Sequence, residues 1–195
     1  MESVEALVNV EARGTRGPAV FFESNQPNAD AIAAFTRAPR GVANSVMADV
    51  YRLLPNSTDV TALTREGIDI VNLAILDGVE DYHTPQDSLA SLDPRSVQHA
   101  GDIALYTLGR FASSADRGDG SEVVYTDIAS LMMISAPLVS VQVALGLSLL
   151  AAGFAFWRSG RDQRWRALVS PPLALAAAAV LAFVAGYGLS LLRPG

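Results

Sequence analysis

Two kinds of hydrophobic patterning divide the chain. Up to about residue 113, short apolar runs alternate with polar joints rich in Gly and Pro; beyond residue 127 apolar residues continue almost unbroken. Residues 5–11 (Glu-Ala-Leu-Val-Asn-Val-Glu) carry the β-branched residues that strands favour, and residues 19–23 (Ala-Val-Phe-Phe-Glu) predict a second strand. The joint between them, residues 13–18, reads as a loop. Helices are predicted over Asn28 to Arg37 and Asn44 to Leu54, the latter with Val46, Met47, Val50, Leu53 and Leu54 at helical spacing. Pro55 to Asp59 ends that helix and offers N-caps for a short helix through Arg65, closed by Gly67. Ile68 to Leu76 is nearly all apolar, as in a central strand covered on both faces. After a polar turn, Asp93-Pro94 opens a helix to about Ser113, aspartate capping and proline in the first turn. Strands alternating with helices predict an α/β domain over residues 1–113, with a linker over 114–127.

The apolar half changes the picture from a soluble protein to a membrane one. Residues 128–157 are 30 consecutive uncharged residues and 167–192 are another 26. Each exceeds the roughly 20 apolar residues that cross a bilayer, so two transmembrane helices are expected. Their cores are about Ile134 to Trp157 and Leu168 to Leu192. The loop 158–166 between them carries four arginines and predicts a cytoplasmic connection. The α/β domain and the 193–195 tail are then exoplasmic, in periplasm or organelle lumen. An N-terminal signal anchor further upstream is expected, because the chain shows no signal peptide.

Charge sharpens this division. The net charge is −6, with 19 of 20 acidic residues before residue 128 and all 14 basic residues arginine. An acidic domain with scattered arginines argues against nucleic acid as a partner. Without cysteine, any metal must be held by His and carboxylates. His83, in the turn Asp81 to Ser88 after the central strand, is well placed to point into a cleft as a ligand. The same turn reads equally as a solvent-facing loop. His99, inside the following helix, reads as a surface or packing residue.

Three motifs in order, Asn9-Val10-Glu11-Ala12-Arg13-Gly14, Pro55-Asn56-Ser57-Thr58-Asp59 and Tyr82-His83-Thr84-Pro85-Gln86-Asp87, resemble metallopeptidase family 28 over about residues 4–113. The likeness is to its membrane-bound branch of vacuolar and endoplasmic reticulum peptidases, in which a peptidase domain precedes several spans. It implies the C-terminal part of a three-layer α/β/α zinc-exopeptidase domain with a mixed sheet, followed by two transmembrane helices. It also implies two zinc ions, a peptide substrate and a lipid bilayer. Glu11 matches the fourth metal ligand of the family and His83 the last. Asp59 matches an acidic position beside the site, with a role in orienting an imidazole; Asp87 is a similar candidate or a cap of its own turn. Tyr82 reads as a hydrogen-bond donor to substrate or as packing. Arg13 and Arg16 read as binders of a substrate carboxylate or as props of their loop.

The family's first His, bridging Asp and Glu-Glu pair, which includes the general base, would lie upstream of Glu11. Residues 1–10 contain none of them. The expectation is therefore a fragment of a membrane-anchored aminopeptidase-type zinc exopeptidase, inactive alone. Alternatives are a non-catalytic peptidase-like membrane protein used for binding or assembly, and an acyltransferase of the glutaminyl cyclase type. The topology has a direct check. Protease added to sealed vesicles is expected to cut the 158–166 loop only from the cytoplasmic side, and cutting from the opposite side reverses the orientation.

Overall fold

The computed structural model describes residues 4–55, 57–60, 68–113, 119–158 and 160. Residues 1–141 form one compact unit and residues from 142 onward a second. In the first unit, β1 (Ala6–Ala12) pairs in parallel with β4 (Asp69–Asp77), and β2 (Arg16–Glu23) pairs antiparallel with β4 from the other side. The two-residue β3 (Val42–Ala43) extends β2, giving the order β1-β4-β2-β3 in a mixed sheet. A hairpin, β5 (Val123–Ile128) and β6 (Met132–Pro137), packs beside this sheet, with an isolated bridge from Thr126 to Asn44, the residue after β3.

Helices cover both faces. Successive strand residues point to opposite sides, so Phe21 and Phe22 serve different layers. Phe21, Val71 and Leu73 meet Ile32 and Phe35 of α1 (Ala29–Phe35) and Ile103 of α3 (Pro94–Ser113). Phe21 lies 4.9 Å from the Phe35 ring and 5.9 Å from that of Tyr125. On the opposite face Phe22 meets Tyr51 of α2 (Ser45–Leu53) edge-on at 4.7 Å. The Asn44 side chain caps α2 by accepting from the Met47 N–H. At the start of α3, Asp93 accepts from the Arg95 N–H and its guanidinium, which lowers the pKa of that carboxyl. His99 is buried: Nδ1 accepts from the Ala19 N–H at 3.1 Å and Nε2 meets the Arg40 carbonyl at 3.2 Å.

The structure departs from the sequence pattern in two places. β2 starts at Arg16, inside the expected loop, because Arg16 already pairs with Asp77 across a register irregularity. The expected linker 114–127 and first span 128–157 also need correction. Residues 123–137 are the hairpin, turned by Ala129 and Ser130 with φ of 51° and 57°, and the long helix α4 runs from Leu138 to Arg158. The absence of charge marked the whole run 128–157, yet its first ten residues keep the β-branched and Met-rich pattern of an extended pair. With 21 residues, α4 is the one helix among the described residues long and apolar enough to cross a membrane. Asp59 and Val60 are helical, where the expected short helix begins; its continuation through Arg65, the Arg-rich loop after Gly160 and the second span lie outside the described residues.

Tyr125 supplies a pH-dependent test of this packing. It is buried, its hydroxyl makes no hydrogen bond, and burial pushes its pKa up to about 12. The folded state therefore holds the phenolic proton more tightly than the unfolded chain, whose tyrosine pKa is about 10. This contribution, about 2–3 kcal/mol, is complete below pH ~10 and is lost as pH rises through the folded value. Unfolding of the detergent-solubilised chain is expected to ease between pH ~10 and ~12, and Tyr125→Phe to flatten that dependence without destabilising the fold at pH 8.

Candidate functional site

On the α2 face of the sheet the apolar pattern gives way to a chain of polar side chains. Asn72, in the middle of β4, is fully buried and pairs in register with Asn9 of β1. Its Oδ1 accepts from Asn9 Nδ2 at 2.9 Å, and its Nδ2 donates to Glu23 at 2.8 Å and to the Thr58 hydroxyl at 3.1 Å. Thr58 also donates to Glu23 at 3.2 Å. Two residues beyond Asn9 on the same face, Glu11 accepts from Asn9 Nδ2 at 3.3 Å. Glu23 reaches this face through a bulge, since Phe21 pairs with Leu73 but Glu23 pairs with the adjacent Asn72. An extra residue on one strand re-aims the side chain that follows it.

Arg13 joins this network to the rest of the site. Its backbone N–H and that of Gly14 both donate to the Ile75 carbonyl, at 3.1 and 2.7 Å, while Thr15 bonds to Asp77. The loop runs so close to the end of β4 that a Cβ on Gly14 would collide with the Asp77 carbonyl oxygen. Held there, the guanidinium bonds to Glu11 at 3.4 Å and to the Ser57 carbonyl at 3.3 Å. It also faces the rings of Tyr51 at 5.8 Å and Tyr82 at 5.9 Å. Tyr51 has a raised pKa, first from burial and then from the Glu23 carboxylate, with the Arg13 cation opposing.

The His83 turn is fixed from below. Gly78 adopts φ 80°, and Thr15 donates to the Asp81 carboxylate at 3.3 Å. The Thr84 hydroxyl bonds to the Asp81 carbonyl at 2.6 Å. His83 has φ 59°, a left-handed conformation costly for a side-chain-bearing residue and concentrated at functional sites. Its ring stacks on Tyr82 at 3.9 Å.

The three motifs are thus brought together by Arg13, which touches Glu11 of the first, Ser57 of the second and Tyr82 of the third. Other expected site residues stand differently. Asp87 accepts from the backbone N–H of His83 at 3.3 Å, so its described contact caps the turn and leaves the imidazole alone. Asp59 is exposed beside Thr58. Arg16 pairs with Glu80 at 3.0 Å and Asp77 at 3.7 Å, both exposed contacts of small energetic weight.

Glu11 and His83 are suitable zinc donors. Among the described residues, however, no group of three or more His, Asp or Glu side chains converges on a point, so these donors do not form a metal site by themselves.

Asn9, Glu23, Tyr51, Thr58 and Asn72 were not singled out from sequence. Asn72 had a signal, as an amide inside an otherwise apolar stretch. Glu23 had none, because its direction depends on the bulge. Replacing Asn72 by leucine leaves Glu23 and Asn9 short of partners on a buried face. The expected cost is about 2–4 kcal/mol in unfolding free energy, read by denaturant titration, with Asn72→Asp less damaging at low pH than at pH 8.

Comparison with known proteins agrees with the geometry. Residues 1–108 match Peptidase family M28. The chain is 29% identical over 143 residues to endoplasmic reticulum metallopeptidase 1 of Mus musculus, covering 69% of this chain and 16% of that protein. It is 27% identical over 160 residues to the Homo sapiens protein of that name, covering 75% and 18%. Against the vacuolar membrane protease of Yarrowia lipolytica it is 25% identical over 170 residues, covering 83% and 17%. The matched stretch is thus under one fifth of each of these relatives. No solved structure matches. The motifs, the mixed sheet they sit on and the matched residues agree: the chain belongs to peptidase family M28.

Proposed function

We propose that this chain forms part of a membrane-anchored, zinc-dependent exopeptidase of the aminopeptidase type. The supporting observation is Arg13, whose contacts gather the Glu11, Ser57-Thr58-Asp59 and Tyr82-His83 segments into one place. Glu11 and His83 contribute two ligands of a two-zinc site, whose remaining ligands and general base come from protein sequence outside these residues. Zinc held there would supply a Lewis acid able to lower the pKa of water and polarise a carbonyl.

The residues present have work of their own. Asn9 holds the Glu11 carboxylate on the α2 face and is itself positioned by its bond to Asn72. Arg13, close to two aromatic rings, offers a cation to a peptide carboxylate, with Tyr82 as a hydrogen-bonding or packing partner and Arg16 further out. Asp59 orients a ligand from the side of the second motif, and Asp87 does so indirectly by capping the turn that carries His83. The helix α4 anchors the domain in the bilayer, with a second span over 167–192, the 158–166 loop cytoplasmic and the domain exoplasmic. The likeness to a protein named vacuolar membrane protease supports the membrane anchoring in this reading.

The test uses the complete protein that contains this chain, assayed with an aminoacyl reporter peptide. Glu11→Gln and His83→Ala are each expected to abolish zinc-dependent turnover, while Asp59→Asn lowers it about 10–100-fold, the usual effect of losing an orienting partner. The isolated 195-residue chain is expected to be inactive with zinc added, and robust hydrolysis by it would refute the shared-site reading. Turnover of an N-terminal glutamine peptide in place of the reporter would redirect the assignment to cyclisation.

A further inference from the structure

A cavity of about 420 Å³ lies between the segment that follows α1 and the turn of the hairpin, and shares no residue with the candidate site. Arg37 and Arg40 stand on one wall, Ser130, Leu131 and Met132 on the other, with Phe35 also in the lining. All of these residues belong to the unit of residues 1–141. The volume falls in the range of small-molecule sites, roughly 300–1,000 Å³.

The two walls are fixed to each other. The Asp127 carboxylate accepts from the Ser130 N–H at 2.9 Å in the hairpin turn and from the Ala43 N–H at 3.2 Å, just past Arg40. Behind the Arg40 loop, buried His99 accepts the Ala19 N–H on Nδ1. Its proton therefore sits on Nε2, which donates to the Arg40 carbonyl at 3.2 Å. Gly41 is so close to Phe35 that a Cβ there would come within 2.9 Å of the ring. Arg40 is held at φ 52°, a conformation costly for a side-chain-bearing residue and concentrated at functional sites. Ala129 and Ser130 owe their positive φ to the hairpin turn; Arg40 lies outside it.

Charge sets this pair of arginines apart. Arg13, Arg16, Arg52 and Arg95 each meet a carboxylate. Among the described residues the side chains of Arg37 and Arg40 form no ion pair or hydrogen bond, and no acidic residue lines the cavity. Asp127, which ties the walls together, already has each oxygen engaged by a backbone N–H. Exposed arginines that merely face water are common, but these two share a pre-formed concave wall with apolar neighbours. Leu131 is 85% exposed and Met132 57%, so apolar surface is available to an occupant. A guanidinium fork matches the oxygens of a carboxylate or phosphate, and the apolar wall accommodates a body attached to it.

We propose that this cavity is a binding site for a small organic oxyanion, a carboxylate or phosphate carried on an apolar body, anchored by Arg37 and Arg40. The site is separate from the peptidase reading and stands without it.

The test uses the full chain in phosphatidylcholine nanodiscs, with empty discs as reference, and fluorine NMR of three soluble probes. para-Fluorobenzoate and para-fluorophenyl phosphate carry the oxyanion; para-fluorobenzamide has the same ring without the charge. The expected result is saturable binding of at least one anion, at least tenfold tighter than that of the amide. Arg37→Gln and Arg40→Gln each weaken it at least fivefold, and Met132→Glu abolishes it. Arg95→Gln, in an exposed ion pair elsewhere, leaves it unchanged. The two Gln variants remove no described contact of the fold, so unaltered circular dichroism and thermal unfolding belong to the expected result. Absence of binding by both anions, equal binding of the amide, or anion binding that survives both Gln substitutions overturns the proposal. Competition fixes the source of the oxyanion. Unlabelled benzoate or phenyl phosphate displaces the probe in either case, whereas phosphatidic acid built into the disc displaces it only where the oxyanion reaches the cavity on a lipid.

Discussion

The fully buried amide of Asn72 is the constraint on which the α2 face of the sheet depends. A buried amide is tolerated only when its hydrogen bonds are made, and here the partners come from three separate segments: Asn9 on β1, Glu23 on β2 and Thr58 after α2. A one-residue slip of any strand would turn its side chain to the other face, so the amide penalises every register but one. The placing of Glu11 follows, because it lies two residues beyond Asn9 on the same strand. Arg13 then follows from Glu11, and the Tyr82-His83 turn from Arg13.

Much of this was legible in the sequence, for identifiable reasons. The strands around Asn9 and Asn72 and the helices beginning near Asn28, Asn44 and Pro94 announce themselves through hydrophobic period and capping residues, which are local properties. Glu11, Asp59 and His83 were singled out through resemblance. What stayed hidden was non-local. Glu23 takes its direction from a bulge, which exists only as a relation between β2 and β4. The role of Asp87 turned on which of its neighbour's donors it meets, and the backbone N–H won over the ring. The two-residue β3 is too short for any periodicity to reveal. In the hairpin, lack of charge was common to strand and membrane helix alike, so composition could not place the boundary that β5–β6 pairing puts at Pro137.

Electrostatics adds a restriction on how such a site operates. In the described arrangement the Glu11 carboxylate already has a cation, the Arg13 guanidinium at 3.4 Å, together with the Asn9 amide. A divalent cation on the same carboxylate would repel that guanidinium, so metal occupancy and the close Glu11–Arg13 contact oppose each other. The stacking surfaces of Tyr51 and Tyr82 give Arg13 a second place to rest, since a guanidinium keeps favourable contact with an aromatic face. Arg13 therefore has favourable contacts besides Glu11, and a lysine in its place, lacking the planar face that stacks, would lose them.

The same helix that closes the polar face also borders an uncharged groove beside the hairpin. α2 sends Tyr51 toward Phe22 and Arg13 and, five residues earlier, Val46 toward the hairpin. Five residues of helix span only about 8 Å along its axis. The polar site and the apolar groove are thus close neighbours, joined by one helix with Ala48 buried between them. At the other end of the groove the Leu138 N–H donates to the Glu122 carbonyl, and α4 follows β6 without an intervening residue, so the first turn of α4 is held against the start of β5.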